Sequence, residues 1–349
     1  MNGVAGLSVS TVVGNIITLS DDAVACFGGN FNDLFGSVTT DFAVGVDAFG
    51  NLVTTDLKKS NFLLTGQDPC FNATRDVYFL IYTNGKRAGE VVTAKNISTT
   101  SFNASNPTRF LIHGWMNSHT SDINTEITAA YLDNGNFNVI VVDWSFGSAD
   151  LSYLNARLRI NSVSIVIAEL INFMITNCYT TYDKVVVVGH SFGGHTAGLT
   201  GKKITGGKIK AVIALDPAGP LFPLNPTKCT VQPTDAQYVE TIHCNGGGIG
   251  MKNPSGQADF FPNGGSVQPD CIEALVCPHV RCYEIFAESI SKPNNFFATK
   301  CLSYQEIFLG SCIAQRGIYV MGGEPSNSAI SGYFYLKTAG GSPYALGKV

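Results

Sequence analysis

A serine within a glycine-rich turn is the feature of this sequence best suited to chemistry. The chain of 349 residues carries the pattern G-H-S-F-G at residues 189–193, with Ser191 at its centre, directly after the apolar run 185–188. This pattern between a buried strand and a helix predicts a nucleophile elbow, which exposes the serine Oγ above the sheet. A serine hydroxyl is a weak nucleophile at neutral pH, so the interpretation requires a histidine base and an orienting carboxylate.

The order of residues along the chain limits the choice of partners. In folds with such an elbow the acid and then the histidine follow the serine, which leaves only His243 and His279 as bases. Asp216 ends a second apolar run, a predicted buried strand, at the sheet edge where ligands bind. His243 closes a strand-like run, whereas His279 lies in a loop between two cysteines, suited to holding an imidazole over the strand ends. The predicted catalytic residues are Ser191, Asp216 and His279, with His243 as the alternative base.

A third requirement is a site for the oxyanion of the tetrahedral intermediate. Such sites use the backbone N–H of the residue after the nucleophile and a second N–H from an early strand-to-helix loop. An apolar run at residues 110–112 opens into His-Gly-Trp, which alone could be an ordinary turn. It lies one strand–helix unit before the strand-like run 139–143, and this position favours an oxyanion loop over an ordinary turn. The predicted donors are the N–H groups of Trp115 and Phe192.

Six motifs in this order resemble successive landmarks of the pancreatic-lipase family. They are RFLIHGW at 109–115, VDW at 142–144, GHSFGGH at 189–195, LDPAGP at 215–220, DFFPNGG at 259–265 and CPH at 277–279. The pattern is most similar to insect members, which include the wasp-venom phospholipases A1. The resemblance implies an α/β-hydrolase fold with a central, mostly parallel sheet flanked by helices, no cofactor, and a triad of Ser191, Asp216 and His279.

The chain has no linker or low-complexity tract, and α/β folds of this size often form one domain. We therefore predict a lipase-type domain over residues 61–349. Residues 1–60 form an N-terminal segment of unassigned role packed on that domain, with a strand or two over residues 31–53. Larger family members carry a C-terminal β-sandwich that recruits colipase, and from the resemblance we expect neither the sandwich nor colipase here.

The charge balance bears on the partners. With 22 basic and 26 acidic residues, a net charge of −4, the chain has no basic stripe for nucleic acid or anionic membranes. Contact with lipid would therefore be apolar, and we expect a lipid ester at a membrane, droplet or micelle surface as the partner. The apolar stretch 163–175 contains Glu169 and Asn172, which predicts a core helix and not a membrane span.

Ten cysteines and three N-x-S/T sequons indicate an oxidising compartment, so we predict a secreted glycoprotein. The resemblance implies a disulfide between Cys301 and Cys312. Cys271 and Cys277 are further candidates, but they form with Cys282 a cluster whose pairing the sequence leaves open. The glycosylation candidates are Asn72, Asn96 and Asn103.

No metal site is predicted, because the chain lacks C-x-x-C and its ten cysteines are even in number. The family's calcium site, where present, uses acidic residues ahead of a strand that matches residues 236–239. At that place the chain offers only Asp235.

Only five residues separate Cys271 from Cys277, where typical triglyceride lipases carry a disulfide-bounded lid. Five residues cannot form an amphipathic helix that covers an apolar site in water. The segment 243–259, a second site-covering loop in the family, is also short and glycine-rich. In this family both shortenings accompany phospholipase A1 activity, so we predict a secreted, short-lid serine ester hydrolase of that type. The alternatives are an unlidded neutral triglyceride lipase and a yolk-protein-like storage protein, although the latter lacks the serine elbow.

Overall fold

The computed structural model describes most of the chain after residue 67 and four short strands before it. The described residues are 9–13, 16–19, 42–46, 52–56, 68, 70–223, 225–271, 276–312, 317–324, 326 and 329–348, and before residue 57 only the backbone is described. The predictions for most of the segment 1–60, and for the short loop at 272–275, lie outside these residues.

Strands and helices alternate along the described chain. The strands are β1 Val9–Val13, β2 Ile16–Leu19, β3 Phe42–Val46, β4 Leu52–Asp56, β5 Tyr78–Thr83, β6 Lys86–Val91, β7 Thr108–Ile112, β8 Asn138–Asp143, β9 Val185–His190, β10 Ala211–Leu215, β11 Tyr238–Ile242, β12 Ala258–Pro262, β13 Phe297–Cys301, β14 Tyr319–Val320 and β15 Gly332–Leu336. The α-helices are α1 Ala73–Asp76, α2 Asp122–Asn134, α3 Ser145–Ser148, α4 Tyr153–Thr176, α5 Phe192–Lys202, α6 Val276–Ile290 and α7 Tyr304–Leu309.

One sheet of eleven strands organises the fold, in the order β14-β13-β15-β12-β11-β10-β9-β7-β8-β5-β6. The seven strands from β15 to β8 run parallel to their neighbours. Antiparallel pairs occur only towards its two ends, where β5 and β6 flank β8 and where β13 and β14 flank β15. The predicted α/β-hydrolase fold, with a mostly parallel central sheet, is confirmed.

Helices cover both faces of this sheet because its central strands are apolar on both sides. Every residue of β7, β8, β9 and β10 is buried. In β9, Val185 and Val187 join the core cluster that contains α4 and α5, whereas Val186 and Val188 join the cluster that contains α2 and α6. Successive side chains of a strand point to opposite faces, so the run of valines fills both layers at once.

Helix α4 is long and apolar enough to cross a membrane by length and composition. Fourteen of its 24 residues are nevertheless buried, and Ile160, Ile167 and Ile171 are among those that belong to a core cluster. Packing against the sheet therefore accounts for its hydrophobicity, as expected for a core helix.

The four strands before residue 57 form two hairpins. β1 pairs with β2 and β3 pairs with β4, each pair antiparallel in a two-stranded sheet of its own. The second hairpin falls partly within residues 31–53, where the sequence predicts a strand or two.

Candidate active site

Ser191 occupies the turn between β9 and α5. Its backbone has φ 58° and ψ −122°, a conformation that non-glycine residues rarely adopt. Glycines make the turn possible, because a Cβ at Gly189 would overlap the carbonyl oxygen of Gly193, and one at Gly193 would overlap that of Ile112. The turn thus has the strained geometry expected of a nucleophile elbow, and it places Ser191 at the N-terminus of α5.

Asp216 follows β10, the strand next to β9, and its side chain is fully buried. One carboxylate oxygen accepts hydrogen bonds from the backbone N–H groups of Cys244 and Asn245, at 2.8 and 2.9 Å. The other oxygen lies 2.5 Å from Nδ1 of His279. Hydrogen bonds to both oxygens therefore fix the orientation of this carboxylate towards the imidazole.

His279 lies in the first turn of α6, and the prediction that it occupies a loop between cysteines is wrong. The disulfide between Cys271 and Cys277 enters the same helical turn. Because Asp216 engages Nδ1, the remaining nitrogen, Nε2, is left for a substrate or nucleophile. No hydrogen bond within the described chain joins Ser191 Oγ to this imidazole, but the ring of His190, next to the serine, lies 4.3 Å from the His279 ring between centroids.

The alternative base, His243, is fully buried and uses both of its ring nitrogens. Nδ1 lies 3.0 Å from the carbonyl oxygen of Met251, and Nε2 lies 3.0 Å from a carboxylate oxygen of Asp259. The ring also stacks on Phe261, with centroids 4.5 Å apart. The structure thus brings His279, and not His243, to Asp216.

The loop that carries Trp115 passes directly beside the serine. A Cβ added at Gly114 would lie 2.8 Å from Ser191 Cβ, so only glycine allows this approach. Throughout the described residues, no acceptor engages the backbone N–H of Trp115 or that of Phe192. Two backbone donors without an acceptor therefore lie next to the serine, one in the residue after it and one in the loop that approaches it, as an oxyanion site requires.

His113 holds this loop, a role that the sequence analysis did not assign. Its Nε2 accepts the backbone N–H of Trp144 at 3.2 Å, which leaves Nδ1 to donate to the carbonyl oxygen of Gly114 at 3.0 Å. The Trp144 indole N–H in turn donates to the carbonyl oxygen of His113 at 2.9 Å. The His-Gly-Trp and Asp-Trp motifs therefore lock together, although nothing in their spacing shows it.

Aromatic rings line the core below the serine. The indole of Trp115 meets Tyr153 edge-on at 5.0 Å, and Tyr153 lies 4.6 Å from Phe192, all between centroids. Phe192 continues to Phe222 at 5.9 Å. These contacts fix both residues that carry the free N–H groups.

The other two histidines of the serine turn are buried and structural. His190 Nε2 lies 3.0 Å from the carbonyl oxygen of His279, which ties β9 to α6. Burial, together with the neighbouring imidazole of His279, holds the pKa of His190 well below its ordinary value. His195 contacts the carbonyl oxygen of Ala218 and stacks on Phe222, and burial lowers the pKa of His195 to about 3.

Gly250, in the segment 243–259, has a role at the site that the sequence did not indicate. Gly250 packs so closely on the Asp216 carboxylate that a side chain there would displace it. The segment also bonds to the turn after β10, because Met251 N donates to the carbonyl oxygen of Pro217 at 2.6 Å. Its glycines therefore allow the loop to close over the acid.

The residue considered for calcium, Asp235, is engaged by a lysine. The Lys202 ammonium lies 2.5 and 2.6 Å from the two carboxylate oxygens and 2.8 Å from the carbonyl oxygen of Thr230. A separate group of Cys301, Glu306 and Cys312 is close enough to hold a metal, but its two cysteines form a disulfide and cannot act as thiolate ligands.

The described chain contains three complete disulfides, which resolve the cysteine cluster. Cys271 pairs with Cys277, Cys244 with Cys282, and Cys301 with Cys312. Cys229 is also disulfide-bonded, whereas the exposed Cys70 and Cys178 are free. Cys26 lies outside the described residues.

The three sequons differ in the freedom of the asparagine amide. Asn72 and Asn103 are exposed, and each uses only its side-chain oxygen locally, to accept from Thr74 and from Ser105 respectively. Asn96 donates its side-chain NH₂ to the carbonyl oxygen of Val91 at 2.9 Å. Attachment of a glycan would therefore disturb an existing hydrogen bond only at Asn96.

Comparison with known proteins gives consistent matches. Residues 65–344 match the model of a protein family described as Lipase. Pancreatic lipase-related protein 2 of Cavia porcellus is 34% identical over 244 residues, covering 67% of this chain and 56% of that protein. Lipase member H of Xenopus tropicalis is 33% identical over 246 residues, covering 68% and 53%. Pancreatic triacylglycerol lipase of Myocastor coypus is 30% identical over 311 residues, covering 79% and 68%.

The chain spans about half the length of the first two of these relatives. Among solved structures, a hydrolase of the α/β superfamily from Xanthomonas campestris pv. campestris aligns at 17% identity with a TM-score of 0.29, covering 39% of this chain and 69% of that one.

Proposed function

Because the chain belongs to the lipase family, we propose that it is a serine carboxylic ester hydrolase that acts on lipid esters. The observation that carries the proposal is the hydrogen bond between Asp216 and His279 beside the elbow of Ser191. We assign this activity to a domain over residues 61–349, in keeping with the family match over residues 65–344.

The proposed reaction begins when Ser191 Oγ attacks the ester carbonyl carbon and His279 Nε2 accepts the serine proton. Asp216 holds Nδ1 protonated and stabilises the imidazolium. The N–H groups of Trp115 and Phe192 bind the oxyanion, since no other acceptor engages them in the described chain. His279 then protonates the leaving alcohol, and an acyl-serine remains.

A water molecule completes the cycle. His279, neutral again, accepts a proton from water as its oxygen attacks the acyl-serine carbonyl carbon. Collapse of the second tetrahedral intermediate breaks the bond to Ser191 Oγ, and His279 returns the proton to that oxygen. The products are one carboxylic acid and one alcohol, and no cofactor enters either step.

We assign the substrate class to phospholipids, cleaved at the sn-1 ester. Two features support this choice. Only five residues separate Cys271 from Cys277, and the segment 243–259 is short and packs against the Asp216 carboxylate at Gly250. Loops as short as these are expected to leave room for a polar head group near the serine. The similarity of the motifs to insect members with phospholipase A1 activity supports the same choice.

We further propose that the protein is secreted, glycosylated at Asn72 and Asn103, and independent of colipase. The disulfides support an oxidising compartment. A storage protein on the same fold would not need the strained serine turn or the carboxylate-bound histidine.

An activity panel tests the proposal. Purified protein is assayed on phosphatidylcholine, tributyrin, a galactolipid and p-nitrophenyl butyrate, each beside Ser191→Ala. We expect release of the sn-1 acyl chain and Ser191-dependent hydrolysis of the soluble ester. Triglyceride hydrolysis without any phospholipid hydrolysis would leave a neutral lipase, and Ser191-independent rates on every substrate would refute an enzyme of this type.

A second assay tests the short lid. A lidded lipase is nearly inactive on dissolved ester, and its rate rises sharply when an interface displaces the lid. We expect the rate on tributyrin to increase smoothly through the solubility limit. A sharp break at that limit would show that another segment covers the site.

A further inference from the structure

Three large apolar side chains are exposed on two neighbouring loops. Met116 is 41% exposed, Phe146 64% and Leu151 74%. We call these three residues the apolar ridge. Met116 lies in the loop after β7, and the other two lie in and just after α3, which follows β8. Exposed apolar side chains that occur singly are ordinary, but a connected group of them is typical of an interaction site.

Hydrogen bonds join the two loops into one surface. Met116 N donates to the carbonyl oxygen of Ser148 at 3.1 Å, and Ser148 Oγ donates to the carbonyl oxygen of Asn117 at 3.0 Å. The indole N–H of Trp115 donates to the carbonyl oxygen of Asp150 at 2.7 Å. The backbone of the ridge is therefore already ordered, and binding costs little further loss of backbone freedom.

The ridge lies beside the proposed active site. β7, β8 and β9 run parallel, so the loops that follow them leave the sheet at the same edge as Ser191. Met116 directly follows Trp115, and the preceding Gly114 approaches the serine side chain. A surface that bound the ridge would thus face the ester-cleaving serine.

The charges near the ridge are paired. The loops 114–121 and 144–152 contain no lysine or arginine. The Asp150 carboxylate lies 2.9 Å from the guanidinium of Arg159, and the Asp143 carboxylate lies 2.5 Å from Nδ1 of His119. Insertion of the ridge into lipid therefore buries no free cation, and it draws no benefit from anionic lipid.

We propose that the apolar ridge inserts into the surface of a zwitterionic phospholipid layer and holds the mouth of the active site against it. This inference rests on the proposed function, since it names the surface from which that site would take its substrate. Three side chains give weak and reversible attachment, because each contributes only the transfer of its own apolar area from water.

Vesicle binding tests the ridge apart from catalysis. The Ser191→Ala protein, which spares the lipid, is sedimented with phosphatidylcholine vesicles with and without the additional changes Phe146→Ser and Leu151→Ser. We expect the partition coefficient to fall by on the order of tenfold or more when both side chains are removed. Ile318→Ser is the matched control, because Ile318 is 66% exposed but precedes β14 at the far end of the sheet.

A conservative variant guards against misfolding. Phe146→Trp should show a blue shift of tryptophan emission with vesicles and quenching by brominated phosphatidylcholine, beyond that of the two native tryptophans. The proposal would be overturned if the ridge variant and its Ser191→Ala parent bound vesicles with equal affinity. It would also be overturned if vesicles changed neither the emission nor the quenching of Phe146→Trp beyond that of the native tryptophans. Binding that requires anionic lipid and disappears in 0.5 M salt, or a dimer that only the ridge variant loses, would overturn it as well.

The catalytic proposal can fail separately. If wild-type protein binds vesicles through the ridge but does not hydrolyse p-nitrophenyl butyrate, the docking surface stands and the ester hydrolase does not. If both proposals hold, Phe146→Ser combined with Leu151→Ser in the otherwise wild-type protein should lose severalfold more rate on vesicles than on that soluble ester.

Discussion

Two histidine–carboxylate pairs lie buried in neighbouring parts of this sheet, and only one of them has the geometry of a catalytic pair. Asp216 holds His279 by Nδ1, while Asp259 holds His243 by Nε2. The second nitrogen makes the difference. In His243 it contacts the carbonyl oxygen of Met251, whereas in His279 no described residue engages it.

The two carboxylates also differ in their position in the fold. Asp259 is part of β12 and accepts the N–H groups of Ser255 and Gly256, so its pair closes the loop before that strand. Asp216 lies beyond the end of β10, with φ 41°, and the residue before it accepts the backbone N–H of Ser191 at 3.0 Å. A buried histidine and carboxylate are thus structural when both ring nitrogens are used, and available for chemistry when one nitrogen is left free.

The largest expected effect comes from the serine that only one pair can serve. Ser191→Ala should lower kcat for p-nitrophenyl butyrate by on the order of 10⁶-fold, as for a triad that acts as a unit. Thermal unfolding should change little, since the side chain makes no hydrogen bond to a described residue. Near wild-type turnover by this variant would mean that neither pair is catalytic.

Replacement of each histidine by alanine should separate a loss of activity from a loss of stability. His279→Ala should lose as much activity as the serine variant, because the proton acceptor is gone. His243→Ala should instead lower the free energy of unfolding by about 3 kcal/mol, since it leaves the buried Asp259 without its partner. Kinetics and urea unfolding on the two variants measure both quantities. The reverse pattern would make His243 the base.

The carboxylates should separate in the same way with smaller effects. Asp216→Asn should lower kcat by on the order of 10⁴-fold, because an amide favours the wrong imidazole tautomer. Asp259→Asn should affect unfolding more than turnover. A loss of turnover by Asp259→Asn comparable to that of Asp216→Asn, in protein of normal stability, would contradict the division of roles.

His195 is a third buried histidine, and it has no carboxylate partner among the described residues. Burial lowers its pKa to about 3 in the folded protein, while the unfolded chain binds a proton near pH 6.5. The neutral folded form thus contributes stability above pH 6.5 that is lost progressively as the pH falls towards 3. His195→Asn should flatten the pH dependence of unfolding by about 1.4 kcal/mol per pH unit below pH 6. An unchanged slope in urea unfolding between pH 4 and 6 would refute it.

The elbow and the fold class are predictable from the sequence because their causes are local. A run of valines that is apolar on both sides predicts a strand covered on both faces, and the glycine at 189 meets a steric need within five residues, since a Cβ there would overlap the carbonyl oxygen of Gly193. The strand that ends at Asp216 follows from the same reasoning. These are short-range signals, and the structure places them as expected.

The environment of His279 shows where local signals mislead. The cysteines around it predict a loop, but Cys282 reaches across to Cys244, and the segment forms α6. Pro278 is compatible with this helix because it lies in the first turn, where no intrahelical N–H bond is lost.

Contacts between distant segments could not be predicted at all. The approach of Gly250 to Asp216, and the hold of Lys202 on Asp235, join segments whose separation along the chain carries no pattern. The same is true of the His113 contacts that fix the loop of Trp115.

Covalent labelling shows which histidine activates Ser191. A p-nitrophenyl dialkyl phosphate reacts with a serine only when a neighbouring base activates it, and mass spectrometry of peptides locates the adduct. We predict one dialkylphosphoryl group per chain, on Ser191, in the wild-type protein and in folded His243→Ala, and none in His279→Ala. Labelling that survives in His279→Ala but is lost in His243→Ala, or an adduct on another serine, would contradict the account.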